Sequence, residues 1–173
     1  LGKEVWISNS RQVYILDSDT DQLADSIAIG LGGNSIVEDR EGKVWVLCGG
    51  DFATSAPASL HRIDPASREV LLSLTFAAGE YPGELSLSPD SRTIYYVVGG
   101  GVYAMETNAT SLPAVARAAG SFYGLGIHPE TGDIYATDPI DYSQRGKVYI
   151  YGADGTAKGN FQAGIIPGEV VFW

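Results

Sequence analysis

The chain has 173 residues with 21 acidic against 11 basic side chains, a formal charge of −10, so it lacks the basic face that grips a nucleic-acid backbone and is repelled by an anionic membrane surface. Its 45% apolar content is ample for a packed core, which excludes a disordered chain, and no apolar run approaches the roughly 20 residues of a membrane-spanning helix. Glycine (22) stands at about twice its usual share, tyrosine (10) is frequent, and long Ala/Leu/Glu/Lys stretches are missing, which is all-β chemistry. The single cysteine, Cys48, follows Val46 and Leu47; it allows no internal disulfide and reads as a buried, inert thiol. The sequence opens without an initiator Met or a charged-then-apolar leader, leaving a removed signal segment or a longer parent chain as the two readings.

In chain order, the first β-branched and aromatic clusters are Val5-Trp6-Ile7-Ser8 and Val13-Tyr14-Ile15-Leu16, followed by a looser apolar stretch over 23–29. The pattern then gains a leading member: Ser35-Ile36-Val37, Val44-Trp45-Val46-Leu47, Leu60-His61-Arg62-Ile63 and 70–76. It returns as Glu84-Leu85-Ser86-Leu87, Ile94-Tyr95-Tyr96-Val97, Val102-Tyr103-Ala104-Met105 and 112–118. A last round reads Gly124-Leu125-Gly126-Ile127, Ile134-Tyr135-Ala136-Thr137, Val148-Tyr149-Ile150-Tyr151 and 156–161, before a lone leading member, Glu169-Val170-Val171-Phe172. The clusters headed by Val5, Val44, Ile94 and Ile134 lie 39, 50 and 40 residues apart.

Four short strands per unit of about 40 to 50 residues is the signature of a β-propeller blade. The connections agree: Asp39-Arg40-Glu41-Gly42, Ser88-Pro89-Asp90-Ser91 and His128-Pro129-Glu130-Thr131-Gly132 are tight hairpin turns, as are Asp17-Ser18-Asp19-Thr20, Asp64-Pro65-Ala66-Ser67 and Ala153-Asp154-Gly155. The expected fold is all-β, a single propeller domain over 1–173 or the C-terminal portion of one, built from four-stranded antiparallel blades with four blades' worth of strands. A sandwich of evenly spaced strands would not hold several parallel series in one register. Ring closure pairs the lone segment 169–173 with the strand at 5–8, removing two open edges.

The stretch Val5-Trp6-Ile7-Ser8-Asn9, Val13 to Asp17 and Ala28-Ile29-Gly30 resembles one repeat of the YVTN (YncE-like) propeller family. Residues 34–50, with Tyr123-Gly124-Leu125-Gly126, Asp133 to Asp138 and Gly164-Ile165-Ile166-Pro167-Gly168, are similar to its surface-lipoprotein branch in Bacteroides-type bacteria. The resemblance implies a seven-bladed ring of which this chain lacks roughly three N-terminal blades, an exported and lipid-anchored precursor at the cell surface or in the periplasm, and no assigned catalytic residues or cofactor. It also implies, for some members, an outer-membrane transporter as partner and corrinoid capture as the task.

Function concentrates on irregular loops carried by a regular scaffold. Two connections are long and unlike each other, 49–59 and 138–146. In a blade they share a face with the connections that carry Asn34, Glu80, Tyr81, Phe122 and Tyr123. The candidate ligand residues are therefore Asp51, Phe52, Tyr81, Phe122, Tyr123, Asp141, Tyr142 and Arg145, aromatic rings flanked by hydrogen-bonding groups; the bland alternative is that the rings plug the hub. His61 and His128 lie in different strand types with no partner at zinc spacing. Asp138 and Asp141 near Asp133 lack the EF-hand spacing for calcium and read as solvated loop acids. Gly32-Gly33 and Gly99-Gly100-Gly101 precede no helix and are turns; Asn108-Ala109-Thr110 matters as a glycosylation acceptor only in a eukaryotic secretory route. The innermost strands offer Ser35, Glu38, Glu84, Ser86 and Glu169, acids without histidines, which weakens an enzyme of the propeller lyase or lactonase kind. The leading expectation is a non-enzymatic extracytoplasmic binding module; a purely structural surface-assembly module is the third reading.

Overall fold

Strands of five or six residues that are apolar at successive positions have two hydrophobic faces, and each face needs a cover. The computed structural model describes residues 3–173. Among the described residues every regular element is a β-strand, arranged in antiparallel sheets. The chain divides into two compact units, Leu1–Gly83 with Thr110–Leu112, and Glu84–Ala109 with Pro113–Trp173.

In the first unit, β1 (Glu4–Asn9), β2 (Gln12–Asp17) and β3 (Gln22–Ala28) form a three-stranded sheet in that order. β4 (Gly33–Glu38), β5 (Val44–Cys48), β6 (Ser59–Ile63) and β7 (Val70–Thr75) follow as a four-stranded one. Trp6 stands opposite Ile15 and Ser8 opposite Val13, so these four share one face of the first sheet. That face packs on the second sheet: Val13, Ile15 and Ile27 are buried with Val44, Val46, Cys48 and Ile63, and Trp6, Ile29 and Ile36 lie against them. β5 is covered on both faces, each of its residues being at most 1% exposed. Burial of this kind is worth about 2 kcal/mol for each large aliphatic side chain.

Polar residues tie the turns to this core. Asp39, buried in the β4–β5 turn, accepts the Glu41 and Lys43 backbone N–H groups at 2.9 Å through Oδ1. Its Oδ2 accepts Trp45 Nε1–H at 2.8 Å and Arg62 Nη2–H at 3.2 Å, and the Arg62 guanidinium lies 5.6 Å over the Trp45 ring. The same kit recurs across the two sheets: Arg68 pairs with Glu4 and lies 5.2 Å over Trp6, whose Nε1–H donates to Glu4 at 3.2 Å.

In the second unit, β8 (Gly83–Leu87), β9 (Thr93–Val98), β10 (Gly101–Glu106) and β11 (Ala118–Ala119) make one sheet. β12 (Gly124–Ile127), β13 (Ile134–Asp138), β14 (Arg145–Tyr151) and β15 (Ala157–Ile165) make the other, in chain order. Their shared core is Tyr95, Val97, Val102, Ala118, Leu125, Ile127, Ile134 and Ala136.

Two expectations are corrected. The outer strand expected over 112–118 shrinks to the two residues of β11; Pro113 has no N–H to give to a ladder and fixes its own φ. The segment 169–173, expected to form a strand and pair with 5–8, belongs to no strand. The segment lies over β12 instead. A Cβ on Gly124 would come within 1.6 Å of the Gly168 carbonyl oxygen, and one on Gly126 within 2.6 Å of Val170 Cβ, so bare backbone at both positions admits it. Thr137 Oγ1–H donates to the Pro167 carbonyl at 2.6 Å, and the Phe172 ring sits 5.0 Å from His128 and 5.2 Å from Tyr135.

Replacing Asp39 leaves the Trp45 N–H and the Arg62 cation without their acceptor. Asp39→Ala should therefore lower the unfolding free energy by about 3 kcal/mol, read as a shift of the urea midpoint, with Asp39→Asn losing less because an amide oxygen still accepts.

Candidate functional site

The two long loops are built by their own aspartates. In 49–58, the Asp51 and Ala56 backbones exchange hydrogen bonds at 3.1 Å. Asp51 accepts the Ala53 N–H and the Thr54 hydroxyl, each at 2.8 Å. These donors, the Thr54 hydroxyl first, hold its carboxyl below the usual range. At the tip Phe52 is 81% exposed and meets Tyr81 edge to face, 5.7 Å between ring centroids.

In 138–145, Asp138 accepts the Ile140 N–H at 2.7 Å. Asp141 accepts the Ser143 and Gln144 N–H groups at 3.0 and 2.9 Å and the Gln144 side-chain amide at 2.9 Å. The backbone N–H groups of Gln144 and Ser143 are the main cause of its lowered pKa. The loop carries strain: Ile140 and Tyr142 both adopt φ of 61°, a left-handed conformation that a β-branched residue rarely takes. The result is that Tyr142, 58% exposed, stands perpendicular to Tyr123, 47% exposed, at 6.0 Å.

Within the first unit, then, the structure brings Phe52 and Tyr81 together beside Asp51; within the second it joins Tyr123 to Tyr142 beside Asp141. Phe122 is separate: it packs on the core and meets Tyr149 and Tyr151 at 6.0 and 6.1 Å. Arg145 donates through Nε to the Ala163 carbonyl at 3.0 Å, bracing β14 against β15. The loop acids weighed for calcium are spoken for: Asp138 and Asp141 hold turns, and Asp133 pairs with Lys158 at 2.6 Å. Among the described residues no group of three or more potential metal ligands converges. No helix among them is long and apolar enough to cross a membrane.

A feature absent from the sequence reading is a polar cluster in the first unit. His61, on β6, is buried, and its Nε2 accepts the Gly30 N–H at 2.9 Å with Ser59 Oγ 2.8 Å away. Because a backbone N–H can only donate, Nε2 carries no proton; Nδ1–H therefore donates to Ser73 Oγ at 2.9 Å. A Cβ on Gly30 would fall 2.1 Å from Ser59 Oγ and 3.2 Å from His61 Nε2, so a larger residue there displaces the Ser59 hydroxyl from the cluster. Neighbouring Cys48 is fully buried, and burial pushes its thiol up to about 11, the inert state expected from its apolar neighbours. A cavity of about 300 Å³ is lined by the cluster itself, Gly30, Ser59, His61 and Ser73, together with Arg11 and Thr75. The one available sequence signal was a histidine at an inward position of an apolar strand with serines at Ser59 and Ser73.

Burial lowers the His61 pKa from its ordinary 6.5, because an imidazolium would lose the Gly30 bond and sit desolvated. Stability is therefore full above about pH 6.5 and declines as pH falls below it, since the unfolded chain takes up the proton first. Urea midpoints at pH 7.5 and 5.5 should differ for the parent chain, and His61→Gln should remove most of that difference. Asp51 and Asp141, whose carboxyls are held below the usual range by hydrogen bonds from their own loops, act only at lower pH, near and below 4.

The matching proteins carry the same architecture. A family model described as "Domain of unknown function (DUF5074)" matches residues 2–163. No curated protein sequence matches the chain. Among solved structures, hydrazine synthase of Kuenenia stuttgartiensis superposes with a TM-score of 0.74 at 15% identity, over 94% of this chain and 47% of that one. A quinonprotein alcohol dehydrogenase-like protein from Bacteroides thetaiotaomicron gives 0.72 at 16%, over 94% and 44%. Dihydro-heme d1 dehydrogenase NirN in complex with DHE gives 0.63 at 15%, over 94% and 35%. At these identities the likeness establishes fold alone, that of a β-propeller. The chain spans less than half the length of each of these three structures.

Proposed function

The chain belongs to this DUF5074 family of unassigned function, and we propose that it acts as a binding module of a propeller rather than as an enzyme, with its exposed loop aromatics as the contact. The supporting observation is the pair Tyr123 and Tyr142: two large rings held in the open, one of them on a strained backbone, by a loop whose polar groups are bonded among themselves. A carboxylate with three or four internal donors is a poor nucleophile or base but a good brace. Rings held apart in this way offer stacking area at little entropic cost, which suits a broad, flat ligand or the side chains of a partner protein. Phe52 and Tyr81 present the same kind of surface in the other unit.

Of flat ligands we favour a corrinoid, whose ring would lie on the tyrosines while amides meet loop hydrogen-bonding groups. We place the protein outside the cytoplasm, at the cell surface or in the periplasm, on a lipid-anchored precursor with an outer-membrane transporter as partner. The acidic surface with four lysines is compatible with that placement.

Calorimetry with cobalamin tests the ligand. Binding heat is expected from the parent chain, and Tyr123→Ala or Tyr142→Ala should each weaken binding about 30-fold, the equivalent of about 2 kcal/mol for a desolvated aromatic anchor. Absence of heat discards the corrinoid; binding indifferent to both substitutions removes the tyrosine pair as the site. Compartment is tested separately by the complete reading frame, where a secretory signal upstream is expected and its absence would place the protein inside the cell.

A further inference from the structure

The face that the second sheet turns toward the first changes character at its outer corner. Val46, His61 and Ser73 stand in one cross-strand row and Cys48, Ser59 and Thr75 in the next. Val46 and Cys48 belong to the apolar core, so each row starts apolar on β5 and ends in a hydroxyl on β7. This corner lines the cavity of about 300 Å³, a volume at the small end of ligand sites. All of it lies within the first unit.

The second unit shows what the corresponding corner holds when it is simply packed. Val44 opposite Ile63 and Val46 opposite His61 match, in register, Ile134 opposite Tyr151 and Ala136 opposite Tyr149. Phe122, from the connection that follows β11, meets both tyrosine rings at 6.0 and 6.1 Å. In the first unit the connection that follows β3 supplies Gly30, whose N–H donates to His61 Nε2 at 2.9 Å. Two tyrosines and a phenylalanine thus give way to an isoleucine, an imidazole and a glycine, which opens the space.

The groups at its mouth are donors. Ala58, Ser59 and His61 are buried at the floor, whereas Arg11, Ser73 and Thr75 are exposed. His61 Nδ1–H donates to Ser73 Oγ at 2.9 Å, which leaves the Ser73 O–H to donate elsewhere. Among the described residues the Thr75 hydroxyl has no hydrogen-bond partner and the Arg11 guanidinium enters no hydrogen bond or ion pair. Asp51 feels Arg11 as the least of the causes that lower its pKa, and its carboxylate is already bonded to Ala53 and Thr54. Leu31, Ala56, Pro57 and Ala58 give the cavity an apolar wall.

We propose that this cavity binds a small monocarboxylate with a short apolar body, either a free acid or the end of a peptide chain. The Arg11 fork takes the carboxylate oxygens, the Ser73 and Thr75 hydroxyls donate to them, and the body rests on Leu31, Ala56 and Ala58. Charge selects the class: one guanidinium balances one negative charge, and a phosphate dianion would bring an unmatched second charge to a chain of net charge −10. The site is separate from the exposed loop rings, so its test and theirs fail independently.

Proton NMR reads it directly, because the chain has two histidines: His61 lines the cavity, and His128, in the other unit, is the control. At pH 7.5 butyrate should move the His61 ring signals saturably, with a Kd on the order of 1 mM, and leave those of His128 in place. Acetate, two methylene groups shorter, should bind about tenfold more weakly. Butanamide and inorganic phosphate should be at least tenfold weaker than butyrate. Arg11→Gln, at an exposed turn position outside both cores, should weaken butyrate at least tenfold with the circular-dichroism spectrum unchanged, and Thr75→Val about threefold. Trialanine and its C-terminal amide separate the sources: a free-acid tripeptide that binds more tightly than butyrate, with its amide inactive, assigns the site to a peptide terminus, and a tripeptide weaker than butyrate assigns it to a free acid. The proposal is overturned if neither butyrate nor trialanine gives a saturable shift, if butanamide or phosphate matches butyrate, or if folded Arg11→Gln binds butyrate as the parent does.

Discussion

Inner strands such as β5 and β9 are apolar on both faces, and that constraint organises the rest. A strand such as β5, with all five residues removed from water, cannot belong to an isolated sheet or to a sheet with one solvated side. Stacking sheet on sheet answers the requirement with one repeated contact: the apolar face of one sheet meets the apolar face of the next. Val13, Ile15 and Ile27 against Val44, Val46 and Ile63 show this in the first unit, and Tyr95, Val97 and Val102 against Leu125, Ile127 and Ile134 in the second. The same constraint leaves a debt at any sheet with one uncovered face, which is why Val5, Ile7 and Leu23 stand out.

Stacking leaves little room for polar atoms, and the carboxylate and imidazole that enter are engaged by several partners each. Asp39 satisfies two turn amides, an indole and a guanidinium from a single carboxylate. His61 is held neutral with both ring nitrogens bonded. These groups contribute direction more than affinity: apolar sheets slide easily over one another, whereas a buried acceptor with several donors fits one register alone. Pairing of Arg68 with Glu4 beside Trp6 repeats the device between neighbouring sheets.

The loops invert this economy. Their carboxylates face water and spend their lone pairs on their own backbones, which stiffens the loop without a core. Stiffness is then available to hold rings outward, at the expense of local backbone strain at Ile140 and Tyr142. An aromatic ring that would gain by burial remains in solvent because its loop permits no other place.

Most strand positions, the turn positions, the repeat and the β-propeller class were legible in the sequence, because a period of two, β-branched and aromatic clusters and Asp/Gly/Pro turns are local properties that each segment carries alone. Trp6, Trp45, Tyr95 and Tyr135 could be aligned before any contact was known, and Cys48 could be read as buried from its neighbours. Tertiary structure decided what local properties cannot encode. It put Phe122 in the core and Tyr123, the next residue, in the open, since adjacent side chains on an extended chain point to opposite sides. It turned Asp51 and Asp141 into braces, because a carboxylate bonds the nearest donors before any distant one. It gathered Gly30, Ser59, His61 and Ser73 from three separate stretches of chain into one network. It also left 169–173 outside every ladder, since a strand is a relation between two segments and a single segment's sequence fixes only its readiness to enter one.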